Sequence, residues 1–557
     1  MIPRSANSLQ LTQNMNSISG KGSKEDNDEV GRDPVVSQYV GLFKRVVCDE
    51  GHRVKNPATA TSQMIADFHC PHTWFLTATP MINRVTDYQG YLHHLFKQEW
   101  KLRGKRWSSS TSPYASKKTT DPVKDRLFLL DPELFIALKH KGTIPNKKAF
   151  VALPQILSMT YIRRTMGSVM PMGPGQQLRV GDDIPYYKIV TVEVVGSRSE
   201  QAEYGPLHGR QVASLKRFSR ARNVDLANAD TDAARFDNRS FRRLCHMSYS
   251  TSLERLARKT RRNLVKDINE WQAMGDHGLS FFLHQGNLDY GFVVSQSRSE
   301  CAQYLANCTP KLRYLSKILL ETVVKGKRRL LVFANWPMVG WHVEMFVHLL
   351  GFRVLSLRSK HTDEMKTATI AKFNNPDCPV DVLVSTYNTC SIGVNLHRAC
   401  HDLVMIEPAV NANMQLQTIG RVHRIGQRHV QNVHILFQDH TFNRYLEWRC
   451  AQKMIAQISG QGRKAYPELD VASSRSDDES DLDDEADLAL GHSADAMYRQ
   501  LFGQSRTRLQ WNDPAQLYDE DPGQRSLEAI VAEEGAPRRT RRETRSGQYA
   551  SQGKAVG

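Results

Sequence analysis

No Cys-x-x-Cys pair occurs in this chain, although 9 cysteines are spread from Cys48 to Cys450. Zinc ribbons and disulfide frameworks need paired spacing, so neither organises the fold. Two short clusters, HCPH at 69–72 and HRACH at 397–401, lack a second half at metal-ligand spacing. Reduced thiols in an intracellular compartment fit this usage. No run approaches the roughly 20 apolar residues that cross a bilayer. The N-terminal MIPRSANSLQLTQNMNSISG has no apolar core of the signal-peptide kind. No membrane partner is expected, and no internal repeat is visible.

What the chain does have is length and positive charge. Its 557 residues suffice for two or three domains, and a hydrophobic fraction of 40% suffices for their cores. Lys and Arg number 75 against 58 Asp and Glu, a net charge of +17, which favours a polyanionic partner.

Residues 1–37 are rich in Ser, Asn, Gly and charge and read as disordered. From 38 to 165 the pattern is globular. FKRVVCDE and HTWFLTATP read as strands, with NPATATSQMIADFH as a helix between them. Strand, helix, strand predicts a parallel α/β sheet. The basic, Ser/Thr-rich stretch 101–126 reads as a surface loop. Residues 166–310 are polar and arginine-rich with weak periodicity, and read as a mostly helical insertion. LERLARKTRRN at 253–263 reads as a basic helix within it, a solvated face rather than a dedicated DNA clamp.

At 311 the pattern sharpens. KLRYLSKILLETVVKG and WHVEMFVHLLG are helices stopped by glycines, and TDEMKTATIAKF is a helix capped by Thr362. RRLLVFA, FRVLSL, VDVLVST, DLVMIEP and NVHILF are strands. Their alternation predicts a doubly wound sheet over 311–455. Ligands of such sheets sit at the carboxyl ends of the strands, where Asp49, Thr77, Thr79, Ser385 and Thr386 fall. Residues 456–557 read as a charged, disordered tail, with an acidic block at 473–491 and a basic one at 537–547.

Three stretches carry chemistry. In VVCDEGH, two carboxylates follow a buried strand: Asp49 can hold a hydrated Mg²⁺, and Glu50 can orient an attacking water. In LTATP, Thr77 and Thr79 bring hydroxyls to the same sheet edge, placed to sense a γ-phosphate. In QLQTIGRVHRIGQ, Arg421 and Arg424 stand i, i+3, which on a helix presents both to one side. That is either a solvated basic face or a pair aimed at a phosphate. Arginines that neutralise a transferred phosphoryl group are the finger device of phosphoryl transfer.

DEGH, LTATP and QLQTIGRVHRIGQ, in this order, resemble the Swi/Snf-type helicase-related ATPases of helicase superfamily two. YIRRTMG at 161–167 resembles the segment that closes that family's first lobe. PKLRYLSKIL resembles the entry to the second, and IGVNLHRACHDLVMIEP its glycine–asparagine–leucine segment. The matches span about 40–455, with 170–305 matching poorly.

The resemblance implies an α/β fold of two RecA-like lobes with parallel sheets, plus the helical insertion and tails. It implies ATP and Mg²⁺ in the cleft, movement on duplex DNA, and a nuclear location, with histones or nucleosomes as possible contacts of the acidic block. Asp49, Glu50, Arg421 and Arg424 would be catalytic. His52, Thr77, Thr79, Gly393, Asn395 and Gln417 would touch nucleotide, and Ser385 and Thr386 a DNA phosphate.

The chain departs from the family in one main respect. The phosphate-cradling GxxxxGK[ST] string is absent from 1–48, and SISGKGSKE at 17–25 reads as a linker. The first lobe is therefore expected to be incomplete, its sheet edge exposed, as in a truncated product. STYNTCSIGVNL also lacks the lysine usual at its turn. The alternative reading is a non-catalytic DNA- or chromatin-binding scaffold. HRIGQ and the long insertion disfavour an RNA helicase.

Overall fold

The computed structural model describes residues 39–81, 85–97, 100, 127–137, 146–221, 238–259, 277–287, 297–390, 394–461 and 506–509. The N-terminal stretch, the basic loop 101–126 and the charged blocks at 473–491 and 537–547 lie outside them.

The first α/β unit begins with β1 (Arg45–Asp49), α1 (Ala60–Asp67) and β2 (His72–Leu76). Thr59 caps α1 through its hydroxyl, which accepts from the Ser62 N–H at 3.4 Å. β1 and β2 pair in parallel, Asp49 opposite Leu76, as strand–helix–strand order requires. α2 (Gln89–Leu95) and α3 (Asn146–Thr160) cover one side of this sheet around Leu92, Phe135, Leu153 and Ile156. The other side is bare: Val47, Trp74 and Leu76 are 55%, 48% and 51% exposed. Parallel sheets are ordinarily covered on both faces, and among the described residues this one is covered on one face only.

A hairpin, β3 (Val169–Gly173) and β4 (Gln176–Arg179), leads into β5 (Tyr187–Val194). Helices α4 (Arg198–Ala221), α5 (Asn238–Met247), α6 (Thr251–Lys259), α7 (Leu279–Asn287) and α8 (Arg298–Asn307) follow. The second unit adds α9 (Pro310–Leu319), β6 (Leu330–Ala334), α10 (Pro337–Leu349), β7 (Val354–Leu357), α11 (Asp363–Asn374) and β8 (Val382–Thr386). It continues with β9 (Asp402–Met405), α12 (Ala412–Ile419), β10 (Gln431–Gln438) and α13 (Asn443–Gln461), and β11 (Arg506–Leu509) closes the sheet. All pairings in the resulting seven-stranded sheet are parallel, in the order β11-β5-β10-β9-β6-β8-β7.

Strand β6 shows why its sequence is apolar throughout. Leu330, Val332 and Ala334 point into one core with Leu312, Val339 and Phe346, while Leu331 and Phe333 point into another with Phe373, Leu403 and Val433. A strand buried on both faces has no polar side to show. The glycine stop at the end of α10 is also realised. Gly351 takes φ +81°, and the Phe352 N–H reaches back to the Val347 carbonyl at 3.2 Å. α9 runs directly into a π-helical turn, Leu320–Lys325, before Gly326 ends it.

Two boundaries differ from the sequence reading. β5 lies in the segment read as a helical insertion, yet it pairs with β10 along its whole length. β11 lies in the segment read as a disordered tail, yet it pairs with β5. Both strands find their partners far away in sequence, and local pattern carries no trace of that. LERLARK is less of a solvated basic helix than its composition implies. Leu253 and Leu256 are fully buried, and Arg255 pairs with Glu203 at 2.8 Å.

Candidate functional site

At the carboxyl end of β1 the chain turns sharply. Asp49 ends the strand, exposed, its Oδ1 accepting from the Glu50 N–H at 2.9 Å. Glu50 sits at φ 50°, ψ 47°, a left-handed conformation that costs a branched-free side chain about 1 kcal/mol. Gly51 is required next, because a Cβ there would lie 2.7 Å from the Cβ of Phe75 on β2. The glycine lets β1's exit pass over β2, and so brings DEGH against LTATP.

His52 joins the two motifs. Its Nδ1 lies 3.2 Å from Glu50 Oε2 and 3.4 Å from Thr77 Oγ1. Burial pushes its pKa down, against the upward pull of Glu50. Thr77 Oγ1 also accepts from the Thr79 N–H at 3.1 Å. The Thr79 hydroxyl is buried with no hydrogen-bond partner, and such an orphan marks a place for an absent ligand or water. Asp49, Glu50, His52, Thr77 and Thr79 thus form one patch. The donor set suits a hydrated divalent cation, with one exposed carboxylate and hydroxyls beside it. Replacing Glu50 with Gly, which tolerates positive φ, is expected to raise stability by about 1 kcal/mol. Urea melts of the two proteins check this.

The arginine stretch is placed differently from the expectation. α12 ends at Ile419, with Gly420 as its cap. Arg421 and Arg424 therefore lie in turns beyond the helix, not on its face. Glycine is a poor helix former, and the Arg421 N–H closes a tight turn on the Thr418 carbonyl at 3.0 Å. The two guanidiniums nevertheless meet: each donates to the Val394 carbonyl, at 3.4 and 3.5 Å. Val394 lies between Gly393, which is outside the described residues, and Asn395, which is exposed. Asn395 is held through its carbonyl, which accepts from Asn374 Nδ2 at 2.8 Å. Gln417 is half-buried on α12. Arg421, Arg424 and the Val394–Asn395 backbone form a second patch, on the second unit. The hydrogen bonds just described are local to each patch.

Ser385 is buried, and its hydroxyl donates to the Leu357 carbonyl at 3.1 Å. Thr386 shares a hydrogen bond with Thr389 Oγ1 at 2.8 Å. Both line a small cavity of about 60 Å³ with Arg358, Ser359 and Lys360. Those three residues follow β7 directly, and the sequence reading passed over them. Arg358 is held by the buried Glu344 on α10. The signal was present: two cations at the carboxyl end of a strand, beside two hydroxyls at the end of the next.

The site thus consists of an acid pair at one strand end, a Thr-x-Thr turn at its parallel neighbour and an arginine pair in a second parallel α/β unit. Residues 29–173 match the SNF2-related domain and residues 310–426 the helicase conserved C-terminal domain. In these two stretches, together under half of its length, the chain is similar to the Swi/Snf-type, helicase-related proteins.

The DNA repair protein RAD5 of Candida albicans is 32% identical over 135 residues, which are 24% of this chain and 12% of that protein. Helicase swr1 of Schizosaccharomyces pombe is 29% identical over 181 residues, 32% of this chain and 13% of that protein. The matched stretches are thus only about an eighth of these relatives' length. A crystal structure of the C-terminal part of the Fun30 ATPase domain overlays 50% of this chain and 99% of its own, at 15% identity and a TM-score of 0.33.

Proposed function

We propose that this chain contributes the acid pair and the arginine pair of an ATPase that moves along duplex DNA in the nucleus. The observation that supports this best is the first patch. A strained Glu50 beside an exposed Asp49, with an orphaned Thr79 hydroxyl next to them, is an arrangement suited to Mg-nucleotide. Mg²⁺, when bound, would supply charge neutralisation for the phosphates, and Asp49 would hold it through water. Glu50 orients the attacking water. Arg421 and Arg424, released from the Val394 carbonyl as the two units close, neutralise charge on the transferred group. His52, Thr77 and Thr79 link the acid pair to the terminal phosphate, and Gly393, Asn395 and Gln417 line the other side.

The excess of 75 basic over 58 acidic residues favours a DNA backbone as the track, with Thr386, Arg358 and Lys360, which line the small cavity at the ends of β7 and β8, as candidate phosphate contacts. Nucleosomes are the natural context for such a motor. One observation favours the second reading, a non-hydrolysing scaffold: residues 1–557 contain no GxxxxGK[ST] string.

The two readings part in an ATPase assay. The polypeptide of residues 1–557 is expected to turn ATP over near background. With the family's phosphate-loop segment supplied ahead of β1, duplex DNA is expected to stimulate turnover about tenfold or more. DNA affinity should fall steeply from 50 to 200 mM salt as counterions are released. Rapid hydrolysis by 1–557 would exclude the scaffold reading and overturn the expected need for that segment, whereas no DNA stimulation of the extended protein would count against the motor reading.

A further inference from the structure

Residues 161–186, between the two units, leave an apolar surface in water. β3 and β4 are exposed at every position. Ile162, Met172 and Tyr186 are 67%, 60% and 71% exposed, and Met166 is 47% exposed. Met170 and Leu178 are register partners, so they share one face of the hairpin. A two-stranded hairpin with no covering layer is marginal in water. Methionines and bulky aliphatics held outside the core mark a docking surface. The hairpin is rimmed by Arg163, Arg164 and Arg179, all exposed, with Asp182 and Asp183 the acidic residues near its base.

β11 indicates the occupant. It runs parallel to β5, with Arg506 opposite Thr191. Adjacent parallel strands are entered from the same edge of the sheet. The hairpin enters β5 at Tyr187 from the edge where the tail enters β11 at Arg506. The stretch between Gln461 and Arg506 is therefore tied down at both ends, one of them beside the hairpin's exit. It contains SSRSDDESDLDDEADLALG at 473–491, with eight carboxylates and three leucines, Leu482, Leu488 and Leu490. The residues from Gly491 to Arg506 span about 50 Å when extended, ample to reach the hairpin.

We propose that the acidic segment 473–491 docks on this hairpin, its carboxylates on Arg163, Arg164 and Arg179 and its leucines on the methionine surface. Opposite charge and apolar groups interspersed on both sides make the two complementary. While docked, the segment denies those arginines to any other polyanion. Neither nucleotide nor DNA enters the inference, so it stands or falls apart from the motor reading.

The test uses the whole chain. Hydrogen exchange of the amides in 162–186 is compared between the native protein and a variant with the Asp and Glu residues of 477–487 changed to Asn and Gln. Neutralisation is expected to speed exchange of the β3–β4 amides about tenfold, and 0.5 M salt should do the same to the native chain, as surface ion pairs are screened (Debye length about 4 Å at that salt). A synthetic peptide of 473–491 should bind the neutralised protein and restore protection. R163E/R164E/R179E in that protein should weaken the peptide about tenfold or more. Unchanged hairpin exchange after neutralisation would overturn the proposal. So would protection that rises with protein concentration, since a second copy would then be the occupant.

Discussion

Glu50→Gln, made in a protein that also carries the family's phosphate loop, is expected to lower DNA-stimulated ATP turnover about 10³-fold while the melting temperature holds. The substitution keeps size and shape, and removes the carboxylate that, in the proposed mechanism, orients water beside Asp49. The fold should not notice. Glu50's contact with His52 is half-exposed, 3.2 Å long, and worth little in stability. Arg424→Ala should cost a similar factor if Arg424 acts as the proposed finger, which contributes about 10³ or more, and in the fold it loses a long 3.5 Å hydrogen bond to a carbonyl. Steady-state turnover against Mg-ATP, read beside thermal melts, separates these effects. Full activity in either variant would sink the assignment of that residue, and activity in both would sink the shared site.

The second large effect is on stability. Lys311, wholly buried at the start of α9, donates from Nζ to Asn443 Oδ1 at 2.9 Å. Glu407, two residues beyond β9, is wholly buried too, and its Oε2 accepts from the Asn335 N–H at 3.0 Å. Burial pushes the Glu407 carboxyl up to about 7 and the Lys311 ammonium down to about 8, and each opposes the other's shift through its charge. These groups tie α9, β6, β9 and α13 together. The Glu407 carbonyl also accepts from the Tyr387 hydroxyl at 2.6 Å, so the tie reaches the segment after Thr386.

Lys311→Met is expected to cost about 3 kcal/mol at pH 8, because it strands a buried carboxylate. The sign of the pH dependence follows. Without the lysine, Glu407's pKa in the fold rises further above its unfolded value near 4.5, so the unfolded chain binds fewer protons than the folded one between those values. Stability of the variant should therefore be greatest near pH 5 and fall as pH rises toward 8. Adding Glu407→Gln should recover most of the loss and flatten the profile. Denaturant melts of the single and double variants across pH 5 to 8 decide it. A single variant as stable at pH 8 as at pH 5 would show that Lys311 does not hold Glu407's charge.

Much of the second unit was legible in sequence because its strands are buried on both faces. RRLLVFA could be nothing but a central strand, and the stops at Gly326 and Gly351 fall where the helices end. β5 was less legible. YKIVTVEV is strand-like, but its neighbours in sequence are not its neighbours in the sheet. In the candidate site, the acid pair and its threonines came from motif order. The left-handed Glu50 and the orphaned Thr79 hydroxyl depend on tertiary packing and leave no mark in the sequence. The arginine pair's i, i+3 spacing points to one helix face, yet Gly420 stops the helix first, and a shared carbonyl brings the two side chains together.

The sequence by itself determined the local elements, the order of the motifs and the family, since burial pattern, caps and glycine stops act between residues close in the chain. Only the tertiary structure decided which strands share a sheet and which groups share a patch. Those outcomes rest on contacts between residues hundreds of positions apart, such as β5 with β10, whose pairing free energy depends on the whole chain having folded around them.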